Sequence, residues 1–391
     1  MSNPIKEKKE GHGHDAADAL PDADPVTEPG TPRSIELAHS LPIERLHGGK
    51  PILTPSDHSD WESRVVLNPG VVLVDDPAML QTLIRKWGLD DRQKKQLTDA
   101  GAAAVMLYRA QGRVVPSKGL APSYMGLAVF TPGLDLVWRR ETPVISPVDS
   151  FHNLGVEDGR CSYINGEFRF LYTGHYRDEK RGQNSVQICL ATTNDFINWK
   201  LHGPLKGNLN DVNNKNAVFF PEKVHDKWML LHRPMAGPDP KSIHLAEAAD
   251  INGPWETRGM LMASYVYREF RQSWIGAGGP PVALGNNRFL VIYHQGHFAP
   301  NNEREYDLAA TIISFPEPGV CRVGRRIEPL MRPTGAEEQK GDASLGVDNV
   351  LFTCANYIYD EDIIIPYAGA DSRIFGARIN LKLLLDEIEK E

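Results

Sequence analysis

The sequence has little cysteine, no long apolar run and no excess of basic charge. Only four cysteines occur in 391 residues, Cys161, Cys189, Cys321 and Cys354. None forms a C-x-x-C pair, which excludes a zinc knuckle and a dithiol redox centre; they read as small buried apolar residues in a reducing compartment. No stretch approaches the roughly 18 consecutive apolar residues that span a bilayer, and the N-terminus lacks the apolar run of a secretory signal. A cytoplasmic protein with no membrane partner is expected. With 43 Lys+Arg against 51 Asp+Glu, a net charge of −8, the chain also lacks the basic footprint of nucleic-acid binding.

Residues 1–34 are rich in Pro, Asp, Ala, Gly and Lys, a composition that cannot offset the entropy of ordering, so a disordered tail is expected there. His12 and His14 within it are too isolated for a metal site, and no metal is expected elsewhere. Beyond the tail the chain repeats. Short apolar runs recur as AAVMLYRA, FRFLYTGH, KWMLLHRP, RFLVIYHQG and DIIIPYAGAD; aligning Tyr108, Tyr172, Leu231, Tyr293 and Tyr367 gives spacings of 64, 59, 62 and 74 residues. A second series precedes them (NPGVVLV, EDGRCSYI, NAVFFPEKV, GGPPVAL, DNVLFTCANYI). A third follows, beginning at 123, 185, 242, 306 and 373.

Each run is short and β-branched or aromatic, and Gly, Asn, Asp or Pro separates it from the next, as in antiparallel strands joined by hairpins. A fourth, weaker strand is marked by Trp138, Trp199 and Trp255. Five such units predict an all-β fold, a five-bladed β-propeller over 35–378. The PILTP segment at 51–55 is expected to supply the outer strand of the last blade. Two helices fall outside the repeat, an insertion at 75–101 and a C-terminal helix at 379–391.

Polar residues at one phase of each unit converge at the mouth of such a fold. They are Asn68 and Arg109; Glu157, Asp158 and Arg160; Lys215, Asn216, His232 and Arg233; Tyr293 and His294; and Asp371. Carboxylates and amides suit sugar hydroxyls, and Arg and Lys suit an anion. A loop at 211–222 has Asp211, Asn213 and Glu222 at calcium-loop spacing, but Lys215 and Asn216 stand where an oxygen ligand and Gly are required.

These residues sit in linked motifs: LNPGVV with LYRA, GVEDGR, NAVFFPEKV leading to LLHRP, IGAGGPP followed by VIYHQG, and YAGAD. Over about residues 45–378 the chain resembles glycoside hydrolase family 130, the mannoside phosphorylases and β-mannosidases built on a five-bladed propeller. The resemblance implies a carbohydrate-active enzyme that cleaves a β-mannoside by inverting phosphorolysis to α-mannose 1-phosphate. Asp158 would be its single acid, and Lys215, Arg233 and His294 would bind phosphate. Asn68, Arg109, Arg160, Asn216, Tyr293 and Asp371 would hold the sugar. It further implies no cofactor beyond inorganic phosphate as co-substrate, a β-mannoside oligosaccharide as partner, and a type of enzyme often assembled into homo-oligomers.

Phosphate is already an anionic nucleophile, so this reaction needs one carboxyl group and an anion site, whereas inverting hydrolysis needs a second carboxylate across the ring. The sequence departs from the family at two places. Gly159 stands for the usual Pro after the acid, and Trp274 for a lysine. Two rival readings follow, a β-mannosidase using Glu222 or Glu269 to activate water, and a non-catalytic glycan-binding propeller.

Overall fold

The computed structural model describes residues 37, 39–236, 242–264, 273–298 and 303–390; the expected tail over 1–34, with its two histidines, lies outside them, as does Glu269. The fold is mainly β with few helices. Among the described residues, five antiparallel meanders follow one another along the chain. The first runs Val65–Val74, Ala103–Gln111, Ser123–Phe130 and Leu136–Arg139, and the second Gly155–Ile164, Glu167–Asp178, Gln183–Thr193 and Lys200–Pro204. The third runs Asn214–Phe219, Trp228–Pro234, Ile243–Ala248 and Glu256–Met262. The fourth is built on Ser273–Ala277, Arg288–Phe298, Arg304–Ser314 and Ile327–Met331, and the fifth on Leu351–Phe352, Asp362–Gly369 and Arg373–Asn380.

The fifth meander takes its outer strand from the other end of the chain. Glu44 and Arg45 pair with Arg378 and Ala377, so the expected closing strand lies several residues earlier than PILTP. That segment still contributes, through a bridge from Leu53 to Ile374. Its prolines at 51 and 55 cannot donate to a ladder, which limits the contact to one bridge.

The expected single helix at 75–101 is two, α1 (Pro77–Lys86) and α2 (Asp91–Ala100). Gly88 ends the first in the left-handed region at φ 68°, and Asp90 opens the second in a capping box with Gln93. After the short α3 (Ala336–Gln339), the C-terminal α4 spans Leu381–Ile388, and the Asn380 side chain accepts from the Leu383 N–H. All four cysteines are buried and unpaired, as expected. Among the described residues no helix is long and apolar enough to cross a membrane.

One buried polar position recurs on the second strand of every meander, and it corrects the repeat register. Tyr108, Tyr172, Tyr293 and Tyr367 hold it as expected, but in the third unit the occupant is His232 rather than Leu231. His232 contacts Asn214 at 2.9 Å and Thr257 at 3.2 Å, and Tyr172 contacts His152 at 3.0 Å. The other three tyrosines each donate to a buried glutamate that an arginine also engages. Tyr108 donates to Glu62 at 2.7 Å with Arg139 at 2.6 Å. Tyr293 donates to Glu328 at 3.0 Å with Arg326 at 2.6 Å, and Tyr367 to Glu338 at 2.6 Å with Arg45 at 2.8 Å.

Removing one member of such a group strands the others away from water. Glu62→Ala should therefore lower the stability by about 3 kcal/mol, read from denaturant unfolding, whereas Lys95→Ala, at an exposed helix pair, should change it by less than about 0.5 kcal/mol.

Candidate active site

In an extended strand, consecutive side chains leave on opposite faces. The first strands of the first three meanders break that alternation at one place each. Between Leu67 and Gly70, Glu157 and Arg160, and Lys215 and Val218, two residues oppose one on the neighbouring strand. The leading residues of these bulges are Asn68, Asp158 and Asn216, at φ of 50°, 47° and 56°. Asn and Asp enter this region more readily than other side chains. The single residues opposite are Tyr108, Tyr172 and His232, the buried polar position described above. Where the first two bulges meet, a Cβ on Gly70 would lie 2.2 Å from the Gly159 carbonyl oxygen, so that approach requires glycine.

The bulges bring the expected acid and its neighbours together. Asn68 Nδ2 donates to Asp158 Oδ1 at 2.7 Å, and Arg109 Nη1 donates to the same oxygen at 3.1 Å. The other arm of Arg109 reaches Glu157 Oε1 at 3.0 Å, and its Nε reaches Ser123 Oγ at 2.9 Å. Burial alone would raise Glu157, but Arg109, with His175 and Lys215, holds it well below the usual carboxylate range. Asp371 sits in a tight turn at φ 48°. Burial pushes its carboxyl up to about 6, against Arg109 and with Asp158.

Facing the acid is a cluster of cations. Lys215 and Arg233 stand directly opposite each other across an antiparallel pair, an arrangement that like charges disfavour. Burial and Arg233 push the Lys215 ammonium down, and burial also lowers Arg233. The hydrogen bond of Arg233 to the Ile275 carbonyl is long, at 3.5 Å, and its Nε is buried without a partner among the described residues. Asn216 Nδ2 donates to His294 Nε2 at 3.2 Å. Burial, Arg233, Arg160 and Lys215 keep His294 well below its ordinary value, so it is neutral at pH 7. A Cβ on Gly276 would lie 2.2 Å from the Asn216 amide and 2.5 Å from His294; glycine there lets the two meet.

Three sequence expectations are corrected. Arg160 does not face a ligand. It is buried and donates to the Asp158, Ala277 and Gly278 carbonyls at 2.5, 2.7 and 3.0 Å, a brace between the second and fourth meanders. Tyr293 neighbours His294 along a regular strand, so it points the other way, into the core and onto Glu328. His232, for the same reason, backs the third bulge. Glu222 is exposed in the turn after Pro221, beyond the opposite end of the strand from Lys215. Trp274 is half-buried, edge-on to Phe298 and Tyr306 at 5.2 and 5.4 Å. Gly159 leaves space that Phe170 fills, since a Cβ there would lie 1.8 Å from its ring.

Sequence reading missed Tyr306, whose ring is 6.1 Å from that of His294, and Phe352, over which Arg160 lies at 5.9 Å. No motif marks either; only strand register places them at the site.

Between pH 4 and 6 the folded protein holds a proton on Asp371 that the unfolded chain releases, so stability falls as pH rises through that window and stays lower above it. Asp371→Asn should thus raise stability by about 1–2 kcal/mol at pH 7, and the gain should vanish below pH 4, as followed by thermal unfolding across pH.

A family model described as beta-1,4-mannooligosaccharide phosphorylase matches residues 99–390. The chain is 29% identical to a 1,2-beta-oligomannan phosphorylase of Thermoanaerobacter sp. (strain X514) over 342 residues, covering 88% of this chain and 98% of the relative. In fold it is similar to a beta-1,2-mannobiose phosphorylase from Listeria innocua solved with beta-1,2-mannobiose, at TM-score 0.67, 19% identity, and coverage of 90% and 100%. A second solved structure, at TM-score 0.67, 19% identity, and coverage of 90% and 97%, comes from a description of glycoside hydrolases within the same family that target beta-1,2 mannosidic linkages in Candida mannan. With three quarters of its length matched by that model, and with the linked motifs in order, the chain belongs to glycoside hydrolase family 130.

Proposed function

We propose that the protein is a five-bladed propeller enzyme that cleaves β-mannosides by inverting phosphorolysis, releasing α-mannose 1-phosphate. The first strands of the first four meanders touch in succession, the Asp362–Gly369 strand of the fifth lies against Val65–Val74 of the first, and the fifth is closed by Glu44–Arg45; these contacts support the propeller, which in this reading spans 35–378 as one domain. The observation that carries the reaction is the pairing of Lys215 with Arg233 beside the acid. Among the described residues neither makes an ion pair, so the net charge they create is complemented by an anion.

In this reading, Asn68, Arg109, Asn216 and Asp371 hold the mannose. Both donors to Asp158 reach Oδ1, which leaves Oδ2 to carry the transferable proton. That proton passes through a mannose hydroxyl to the glycosidic oxygen as the bond to the anomeric carbon breaks. A phosphate oxygen attacks that carbon from the opposite face. Asn68 and Arg109 then stabilise the carboxylate that remains. The neutral His294 donates to phosphate without adding a third positive charge.

Hydrolysis requires a carboxylate on the far side of the ring, roughly 6.5–9.5 Å from the acid. Glu157 cannot serve, because one guanidinium bridges it to Asp158 and places both on the same side. Glu222 is remote. β-1,2-Mannobiose is the first substrate to test, given the relatives that cover most of the chain.

Products should be separated after incubation with and without phosphate. Mannose 1-phosphate is expected only with phosphate, and equal turnover in its absence overturns the reading. Asp158→Asn should lower kcat by about 10²–10⁴ and keep the fold, and Lys215→Ala should raise the KM for phosphate by at least about tenfold.

A further inference from the structure

Asp371 stands in the turn that joins Asp362–Gly369 to Arg373–Asn380 in the fifth meander. The Ser372 N–H closes this turn onto the Gly369 carbonyl at 3.0 Å. Ala370 and Asp371 both lie in the left-handed region, at φ of 47° and 48°. Two consecutive residues there suit Asn-Gly or Gly-Gly, and Ala370 has no side-chain oxygen to compensate, so contacts from outside the turn have to hold it.

Those contacts come from the loop 341–350. The Asp342 N–H donates to Ser372 Oγ at 2.7 Å, and Ser372 Oγ donates onward to the Ala370 carbonyl at 2.9 Å. The Ala370 N–H donates to the Val350 carbonyl at 2.9 Å. The fit is close: a Cβ on Gly341 would lie 2.3 Å from the Ala370 carbonyl oxygen, and one on Gly346 would lie 2.7 Å from Ser372 Oγ. The loop in turn folds around the Asp342 carboxylate, whose Oδ1 accepts from the Ser344 and Leu345 N–H groups at 2.9 and 3.0 Å.

That carboxylate is anchored from the other side of the seam between the fifth and first meanders. Arg64 immediately precedes Val65–Val74, the strand that carries Asn68. Its Nε donates to Asp342 Oδ2 at 3.1 Å and its Nη2 to Asp342 Oδ1 at 2.9 Å, with Ser344 Oγ accepting at 2.7 Å. A guanidinium fork fixes direction as well as distance, which an ammonium does not. On the same strand, the Val66 N–H donates to the Ser372 carbonyl at 3.2 Å. Ser372 is thus tied to the strand of Asn68 twice, directly through Val66 and through Arg64 and Asp342.

We propose that Arg64 and Ser372 are positioning residues for Asp371, and that the fork of Arg64 on Asp342 fixes the separation of Asp371 from Asn68 across the seam where the ring closes. This inference rests on the reading in which Asp371 and Asn68 hold the mannose, and deepens it. Neither Arg64 nor Ser372 has to touch the sugar.

Initial rates should be measured against β-1,2-mannobiose at saturating phosphate, and against phosphate at saturating mannobiose, for the wild type, Arg64→Gln, Arg64→Lys, Ser372→Ala and Asp371→Asn, with thermal unfolding to check that each folds. Arg64→Gln and Ser372→Ala are each expected to raise the mannobiose KM about five- to tenfold. The phosphate KM should stay within about twofold of wild type, because Lys215 and Arg233 belong to the third meander. Arg64→Lys, which keeps the charge and loses the fork, should fall between Arg64→Gln and the wild type. Arg64→Gln should add nothing to Asp371→Asn in the double variant. The proposal is overturned if either Arg64→Gln or Ser372→Ala leaves the mannobiose KM unchanged while Asp371→Asn raises it, or if both KM values rise together; the mannose-holding role of Asp371 then stands. An Asp371→Asn enzyme with an unchanged mannobiose KM removes that role and this proposal together.

Discussion

An extended strand presents every second side chain to a given face, and the candidate site of this protein depends on escaping that rule three times. Each escape is a two-residue bulge led by Asn68, Asp158 or Asn216 in the left-handed region. A backbone held that way stores strain that must be met by the surroundings. The surroundings here are repeated with the bulges: a tyrosine or histidine behind each one, hydrogen-bonded to a buried partner, and glycines where neighbouring bulges come into contact. The buried polar groups behind the site and the site itself are two sides of the same strands.

The electrostatics follow from that geometry. A chain with a net charge of −8 gathers Arg109, Lys215 and Arg233 within one cup, and the internal balance is uneven. Arg109 is engaged by Glu157 and Asp158, while Lys215 and Arg233 face each other. Burial, together with the same field that makes those two cations unfavourable, keeps His294 neutral. Preorganised positive charge in a buried site is the condition under which an anion is held most strongly, and in the phosphorolysis reading the protein holds that charge in place before the anion arrives.

Much of this was legible in the sequence, for definite reasons. Strand runs of β-branched and aromatic residues cut by turn residues identify five units, and the site residues recur at one phase within them. Asn68, Arg109, Asp158, Lys215, Asn216, Arg233, His294 and Asp371 are accordingly brought together. What failed depends on direction and on closeness. Tyr293 is adjacent to His294, and only strand alternation separates core from site. The charge of Arg160 suggests a ligand, yet three of its N–H groups go to carbonyls, two of them on a meander more than a hundred residues away. The third repeat slipped by one because His232 does by hydrogen bonding what tyrosine does elsewhere. Tyr306 carries no motif of its own, because only strand register sets its ring beside that of His294.

The pairing of Glu44 with the strand ending at Asn380 joins residues 334 positions apart. During synthesis, the strand Arg373–Asn380 is made long after its partner. Until the two meet, the fifth sheet has an open edge capable of recruiting another chain, and the long loop that must close makes this pairing slow relative to the local hairpins. The two strands therefore act as a clasp: the interval between their synthesis sets the time during which the open sheet is exposed to aggregation.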